Sequence, residues 1–432
     1  MIRLSSKREL PLAILALVAS ALLLVATTLV PPAQAATAAF DDWVESLRFE
    51  ARARGVEDEQ FNRIFHGVQP IDRVVELDRR QPEFSQTFWR YLDARVTPDR
   101  IEQGRTLLAD NGQLLAAVQR RYHVQPRFIV AFWGLESSYG DNVGDFPLVT
   151  ALATLAWEGR RSAFFREQLL DLLQLIALGD IPEDARGSWA GAFGQMQFMP
   201  STFRAYAVDF DGDGRRDLWN SLPDIFASAA NYLASIGWDG ESTWGREVVL
   251  PIDFDYTVSG LERDATLAEW SARGVGTVDG SVLPSANLHA SLLLPGGRNG
   301  GPALLVYRNF RKIMNWNNSL LYAVSVGHLA DRFAGGSPFA TPRLLDEVPM
   351  SRTQTIEMQE RLQGLGFDTG GADGRVGPKT RDAIMGFQQR QALPADGYPT
   401  VALLDQLRLV QPEVTGTGYE SGGGQEQGGE GQ

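Results

Sequence analysis

The sequence predicts a mainly α chain with a small β-rich insert and a separate small helical unit near its C-terminus. Three observations carry that expectation. Apolar residues recur at helical spacing over most of the stretch from Phe40 to Phe333. The pattern gives way to short apolar runs and glycine-rich turns only between residues 248 and 306. Three prolines, Pro338, Pro342 and Pro349, then precede a fresh helical pattern at residues 353–409. With 432 residues there is room for two or three domains and a sizeable core.

The N-terminus reads as a secretory signal over residues 1–35. Arg3, Lys7 and Arg8 supply its positive region, and Leu12–Val30 is apolar apart from Ser20, Thr27 and Thr28. Ala33-Gln34-Ala35 then gives the small-x-small cleavage pattern. An uncleaved N-terminal anchor is the alternative, because the apolar run is long enough to span a bilayer. The chain has no cysteine, which excludes lipoprotein processing, disulfides and zinc-cysteine sites. Loss of residues 1–35, which carry a net +2, takes the formal charge from −13 to −15. Such an acidic chain has no electrostatic attraction to nucleic acid. The expected location is the periplasm of a bacterial cell envelope. The four histidines, His66, His123, His289 and His328, lack metal-ligand spacing.

Residues 40–124 read as helices. One is opened by Trp43, Leu47 and Phe49, a second is marked by Phe84, Phe88, Tyr91 and Leu92, and a third by Leu107, Leu108, Leu114, Leu115 and Val118. Nothing there carries chemistry, although Phe84–Arg90 could border a cleft.

The stretch Phe128–Gly140, FIVAFWGLESSYG, is different. Pro126 suits a first helical position and Gly140 a left-handed closing residue. Trp133, Phe132 and Ile129 lie three, four and seven residues before Glu136, on its own helix face. Glu136 should therefore point toward the interior or into a cleft. Poor solvation there raises a carboxyl group's proton affinity and suits it to protonate a glycosidic leaving oxygen. From this segment alone, a structural glutamate paired with Arg160 or Arg161 is an equal reading.

Two helices, Phe146–Trp157 and Ser162–Leu178, follow. The segment Gly187–Pro200, GSWAGAFGQMQFMP, then interrupts the pattern and offers Ser188, Gln195 and Gln197 on a loop of little bulk. Amides that both donate and accept suit the hydroxyl and N-acetyl groups of a sugar. Trp189, Phe193 and Phe198 would pack behind the loop or stack on sugar faces. An ordinary glycine-rich turn is the alternative. A further helix starts at Pro200.

Asp209, Asp211 and Asp213, with Gly214 next, match positions 1, 3, 5 and 6 of an EF-hand calcium loop. Position 12 is Asn220; Asp217 stands at position 9 and Asp224 at position 16. Either Asp224 closes a longer loop or the match is a surface turn. A bound calcium would be structural, and no organic cofactor is expected. Within 248–306, Val248-Val249-Leu250, Phe254-Asp255-Tyr256 and Leu304-Leu305-Val306 read as strands, and Ser319–Phe333 returns to helix.

The segments GLESSYG, GSWAGAFGQMQFMPSTF, VDFDGDGRRDLWNS and SAANYLASIGW resemble, in order and spacing, the lytic murein transglycosylase B family. The resemblance spans roughly Phe40 to Phe333 and implies a lysozyme-like helical catalytic domain, here residues 36–335. It implies cleavage of the β-1,4 bond between N-acetylmuramic acid and N-acetylglucosamine in peptidoglycan glycan strands. The product ends in a 1,6-anhydro ring, because the sugar's own C6 hydroxyl replaces water. By that resemblance Glu136 acts first as acid and then as base. Ser188 and Gln197 match cleft-lining positions, and Asn317 and Tyr322 match a substrate-contacting segment. Trp316 stands where the family has another aromatic. Asp209, Asp211, Asp213, Asp224 and the Arg215 carbonyl match a structural Ca2+ site.

After a linker at 336–352, residues 353–409 contain DGRVGPKTRDAIMGFQ and resemble the three-helix peptidoglycan-binding domain. That resemblance implies tethering to the wall, which raises local substrate concentration. Residues 410–432, with eight glycines, four glutamates and no base, should be disordered. Other cell-wall enzymes are possible partners. The alternatives to a lytic transglycosylase are a hydrolytic muramidase and an inactive peptidoglycan-binding scaffold. Hydrolysis normally needs a second carboxylate, and the nearest, Asp141 and Asp145, lie beyond Gly140.

Overall fold

The computed structural model describes residues 32–79, 86–158, 160–343 and 348–410. The charged and apolar regions of the expected signal, Phe84 at the suggested cleft border and the expected tail beyond residue 410 lie outside them. Among the described residues, no helix is long and apolar enough to cross a membrane. The protein is mainly helical, and its backbone divides into two compact units.

The first unit gathers the chain up to Asp78 with residues 144–192 and 199–204. Its centre is a hairpin of two helices, Leu148–Glu158 and Ser162–Ala177. Leu169, Leu170, Leu172, Leu173 and Leu175 are all fully buried, so the second half of this helix is enclosed on every side rather than along one stripe. The buried Asp171 is bracketed by Arg54 at 2.8 Å and Arg204 at 3.0 Å. Burial pushes its carboxyl up, and the two guanidinium groups oppose that shift. The helix expected from Phe146 begins at Leu148 instead, because Phe146 and Pro147 pair antiparallel with Arg186 and Gly187. Asp58–Phe65 and Asp72–Arg79 are short helices that the periodicity did not reveal.

The second unit holds residues 79–143, 193–198 and those from 205 onward. Pro126–Ser137 is its central helix, with Pro126 in the first turn as expected. Around it pack Pro98–Asp110, Gly112–Tyr122, Leu222–Ser235 and Leu320–Phe333. The single helix expected over Leu107–Val118 is two helices, broken at Asn111, whose amide nitrogen donates to the Leu107 carbonyl at 2.9 Å.

The β-rich insert is a five-stranded antiparallel sheet in the order Asp264–Thr266, His289–Leu293, Ala303–Val306, Gly245–Val249, Gly276–Thr277. Trp270 is fully buried against it and donates to the Ala290 carbonyl at 2.9 Å. Phe254-Asp255-Tyr256 is not a strand. The Asp255 carboxylate accepts from Thr257 N–H and caps a single 3-10 turn, Tyr256–Val258.

The proline-rich segment after this domain is held rather than loose. The Glu247 carboxylate accepts from the main-chain N–H of Ala340 and of Thr341 at 2.7 and 2.8 Å. Phe339 stacks on His328, with ring centroids 4.1 Å apart. Burial, with Arg332 and Arg343 nearby, pulls the His328 imidazole down to about 4. The unfolded chain therefore takes up the proton first on acidification. Stability is intact above pH 6.5 and falls toward pH 4, by about 3 kcal/mol over that window. Melting temperature measured against pH should show this slope, and His328→Gln should flatten it.

The C-terminal helices Arg352–Gly364, Pro378–Arg390 and Val401–Leu409 enclose a core of Met358, Leu362, Ile384, Phe387, Leu404 and Leu407. A capping box between Ser351 and Gln354 opens the first of them.

Candidate active site

Glu136 lies in the last turn of the largely buried helix Pro126–Ser137 of the second unit. Every residue from Phe128 to Gly134 is buried, including Ile129, Phe132 and Trp133 on its own face, while Glu136 is half-buried. The helix stops earlier than Gly140. Ser138 (φ 52°) and Tyr139 (φ 62°) already take the left-handed conformation, and Gly140 (φ 97°) follows. Two non-glycine residues there cost about 1–3 kcal/mol each, so neighbouring groups must hold them. The Tyr139 hydroxyl donates to the Arg100 carbonyl at 2.6 Å, and Arg100 donates to Ser138 Oγ at 3.2 Å. The Ser137 hydroxyl accepts from Gly140 N–H at 2.9 Å.

The ion pair with Arg160 or Arg161 is not what the structure holds. Those guanidinium groups lie 3.1 and 3.6 Å from the Asp78 carboxylate. Glu136 instead accepts two neutral hydrogen bonds on one oxygen. Trp316 Nε1–H donates to Oε1 at 2.8 Å, and the Tyr322 hydroxyl donates to the same atom. Trp316 ends the helix Arg308–Trp316, and Tyr322 sits in the first turn of Leu320–Phe333, which Ser319 caps.

Tyr322 is 5% exposed. Burial first, then the Glu136 charge and their hydrogen bond, hold its phenol well above the ordinary tyrosine value. It is therefore a donor throughout the working pH range. Both donors engage Oε1 and so fix the orientation of the carboxyl group.

The Trp316 ring is wedged among aromatics, with centroids 4.4 Å from Phe132, 5.1 Å from Tyr232 and 5.4 Å from Phe198. A ring so fixed can aim its N–H without paying rotamer entropy on each turnover. Asn317, in the bend between the two helices, is half-buried and extended (φ −139°).

The glycine-rich loop divides its duties. Both ends of the Gln195 amide are engaged internally: Oε1 accepts from Trp133 Nε1–H at 2.7 Å, and Nε2 donates to the Trp219 carbonyl at 2.6 Å. Gln195 thus braces the acid's helix against the 218–219 segment. Gln197 has a left-handed backbone (φ 48°), and its Nε2 donates to the carbonyls of Val143 and Gly194, both at 3.0 Å. That fixes the amide flip with Oε1 as the accepting end. Phe193 and Phe198 are buried, and Phe193 stacks on Trp219 at 5.1 Å. In the first unit, Ser188 is half-buried and its Oγ accepts from Ala192 N–H at 3.0 Å. Asp141 and Asp145 are both exposed.

In the acidic loop, ligand oxygens of Asp209, Asp211 and Asp213 lie within 4.8 Å of one another, all exposed. Three like charges so close repel unless a cation sits among them. The fully buried Asp224 ties the loop's ends, with Oδ1 accepting from Phe210 N–H at 2.7 Å and Oδ2 from Asp217 N–H at 2.9 Å. Burial pushes its carboxyl up, while those two hydrogen bonds pull the other way. Arg215 N–H donates to Asp213 Oδ1 at 2.8 Å. The donor set suits a hard, oxygen-seeking cation such as calcium.

What the sequence did not reveal is the contact between Glu136 and its two donors, which stand 180 and 186 residues downstream. Tyr232 and Trp219 were likewise not singled out.

Residues 39–331 match the family described as transglycosylase SLT domain, and residues 351–407 match the putative peptidoglycan binding domain. A curated relative, membrane-bound lytic murein transglycosylase B of Escherichia coli K12, is 30% identical over 297 residues, 65% of this chain and 79% of the relative. The crystal structure of SltB3 from Pseudomonas aeruginosa in complex with NAG-anhNAM-pentapeptide is 48% identical, with a TM-score of 0.82 over 85% of this chain and 99% of that one. The Escherichia coli lytic transglycosylase SLT35 in complex with calcium is 28% identical, with a TM-score of 0.58 over 68% of this chain and 92% of that one.

Proposed function

Because this chain belongs to the family of transglycosylases with an SLT domain, we propose that Glu136 is the acid and base of a peptidoglycan lytic transglycosylase. The enzyme is a peptidoglycan-cleaving lyase with a peptidoglycan-binding domain at its C-terminal end. The observation that carries the residue assignment is the double hydrogen bond onto Glu136 Oε1. It orients the carboxyl group, whose other oxygen, Oε2, we assign to proton transfer. Protonated, Oε2 gives its proton to the glycosidic oxygen between N-acetylmuramic acid and N-acetylglucosamine as that bond breaks. The carboxylate so formed is stabilised by the two donors and next takes the proton of the C6 hydroxyl as its oxygen closes on C1. The 1,6-anhydro ring results, and no water is consumed. A hydrolytic route needs a second carboxylate to hold a water, and the exposure of Asp141 and Asp145 speaks against it. Gln197, Asn317 and Trp316 are the groups of the second unit that we assign to the glycan. Soluble muropeptides released from sacculi and weighed by mass spectrometry test the reading. Fragments lighter by one water than hydrolysis products support it, and full-mass reducing ends overturn it.

We further propose that Asp209, Asp211, Asp213, Asp224 and the Arg215 carbonyl hold a structural Ca2+. The ion would neutralise the carboxylates and stiffen the loop. That loop leads to Leu218 and Trp219, whose carbonyls accept from Gln195 N–H at 2.8 Å and Gln195 Nε2 at 2.6 Å. Gln195 in turn holds Trp133, three residues from the acid. Calcium at about 100 times its Kd is expected to add about 2.7 kcal/mol, seen as a melting temperature several degrees higher. Asp213→Ala should remove that gain, and an unmoved melting curve on chelation would sink the assignment. We assign residues 1–35 to an export signal, which puts the mature enzyme in the periplasm.

A further inference from the structure

A cavity of about 340 Å³ lies where the turn Gly296–Gly300 of the catalytic domain meets the C-terminal helical unit. That is a volume typical of small-ligand sites, about 300–1,000 Å³. Its walls are fixed to each other. Arg298 main-chain N–H donates to Asp396 Oδ2 at 3.0 Å, and Arg263 pairs with Asp382 at 3.0 Å. Gly297 lies against the Tyr398 ring. With φ at 69° and an added Cβ only 2.7 Å from that ring, no other residue fits without parting the walls.

The C-terminal wall is also rigid within itself. Gln388, 6% exposed, donates to Asp396 Oδ1 at 2.8 Å and accepts from Gly397 N–H at 2.8 Å. Gln359 repeats the device, donating to Asp373 Oδ1 at 3.2 Å and accepting from Gly374 N–H at 2.8 Å. The domain therefore carries two quasi-equivalent clamped Asp-Gly turns, and the second lines the cavity.

The chemistry of the lining selects a ligand. Asp396 already accepts from Gln388, from Tyr398 N–H at 3.1 Å and from Arg298 N–H, so its charge is met by three donors. The exposed Arg298 guanidinium forms no ion pair among the described residues and stands at the rim with the exposed amides of Asn299 and Gln406. Leu393, Pro394 and Leu403 supply an apolar floor. In a chain of net charge −13, an anion is drawn only to a local cation of this kind.

We propose that the cavity binds a short peptide with small apolar side chains and a free C-terminal carboxylate, namely the peptide stem of peptidoglycan. The carboxylate meets Arg298, the stem amides meet Asn299 and Gln406, and the methyl groups rest on the apolar floor. The proposal rests on the peptidoglycan reading above. It gives the wall-binding unit a recognition site that the catalytic domain completes, so that holding a stem also positions the strand for cutting.

The test is calorimetric titration of the chain lacking residues 1–35 with a synthetic stem pentapeptide, as free acid and as C-terminal amide. The free acid should bind, the amide about tenfold more weakly, and Arg298→Gln should bind the acid as weakly as the amide. Equal binding of acid and amide, wild-type affinity in Arg298→Gln, or no saturable binding of the acid overturns the proposal. Thermal melting of Arg298→Gln, expected to match wild type, guards against misfolding. Anhydro-muropeptide release by wild type from sacculi is read in parallel. Its absence would remove the peptidoglycan reading, whereas its presence with a failed titration removes the cavity alone.

Discussion

If one carboxyl group performs both proton transfers, as proposed, Glu136→Gln abolishes release of soluble muropeptides from sacculi, with an expected loss of about 10⁴-fold. Glutamine keeps the shape and can still accept on Oε1 from Trp316 and Tyr322. The fold and the binding of sacculi should therefore survive. That combination separates a catalytic acid from a structural one. A buried ion pair broken at one partner would lower stability by several kcal/mol, and the arginines first expected to pair with Glu136, Arg160 and Arg161, are committed to Asp78. Retained turnover in the glutamine variant would refute the assignment of the acid.

Removing the two donors singly is the second experiment with a large expected effect. Both N–H and O–H favour the charged carboxylate over the neutral acid, so losing either makes Glu136 hold its proton more tightly. The acid form then persists to higher pH, and the alkaline limb of kcat/KM moves up. Tyr322→Phe deletes only the phenolic hydroxyl from a fully packed site, and should lower kcat about 10- to 100-fold while shifting that limb upward. Trp316→Phe removes the indole N–H but keeps an aromatic ring against Phe132, Phe198 and Tyr232. It should move the limb in the same direction by a smaller amount. A limb that stays put in both variants, or moves down, would contradict the role of these donors. The Tyr322 hydroxyl cannot itself be the group that titrates, since burial and the neighbouring carboxylate keep it protonated.

The half-buried setting of Glu136 was legible in the sequence because local rules decide its surroundings. An apolar run with proline at its start and one glutamate at its end leaves few places for that side chain. The acidic loop was legible for the same reason, since its spacing is the signal. The donors were not, because nothing local relates position 136 to positions 316 and 322. Only the packing of Leu320–Phe333 against Pro126–Ser137 brings them together. Gln195 and Gln197 looked alike in the sequence, both amides on a glycine-rich loop. Tertiary hydrogen bonds gave them different tasks, one bracing Trp133 and the other held through its Nε2 by the Val143 and Gly194 carbonyls. The helices of the fold were read more faithfully than the strands. Asp264–Thr266, Gly276–Thr277 and His289–Leu293 are two to five residues long. Their pairing partners, rather than their own composition, make them strands. The break at Asn111 and the early left-handed turn at Ser138 are likewise set by capping and by contacts with Arg100, which periodicity does not record.

Cleavage of sacculi in water enriched in oxygen-18 tests the central claim most directly. If the glycan's own C6 hydroxyl displaces the leaving sugar under the guidance of Glu136, the muramic acid ends carry no heavy oxygen and weigh one water less than a free sugar. Muramic acid ends that take up one oxygen-18 each would show that solvent made the attack, and would contradict ring closure by the C6 hydroxyl.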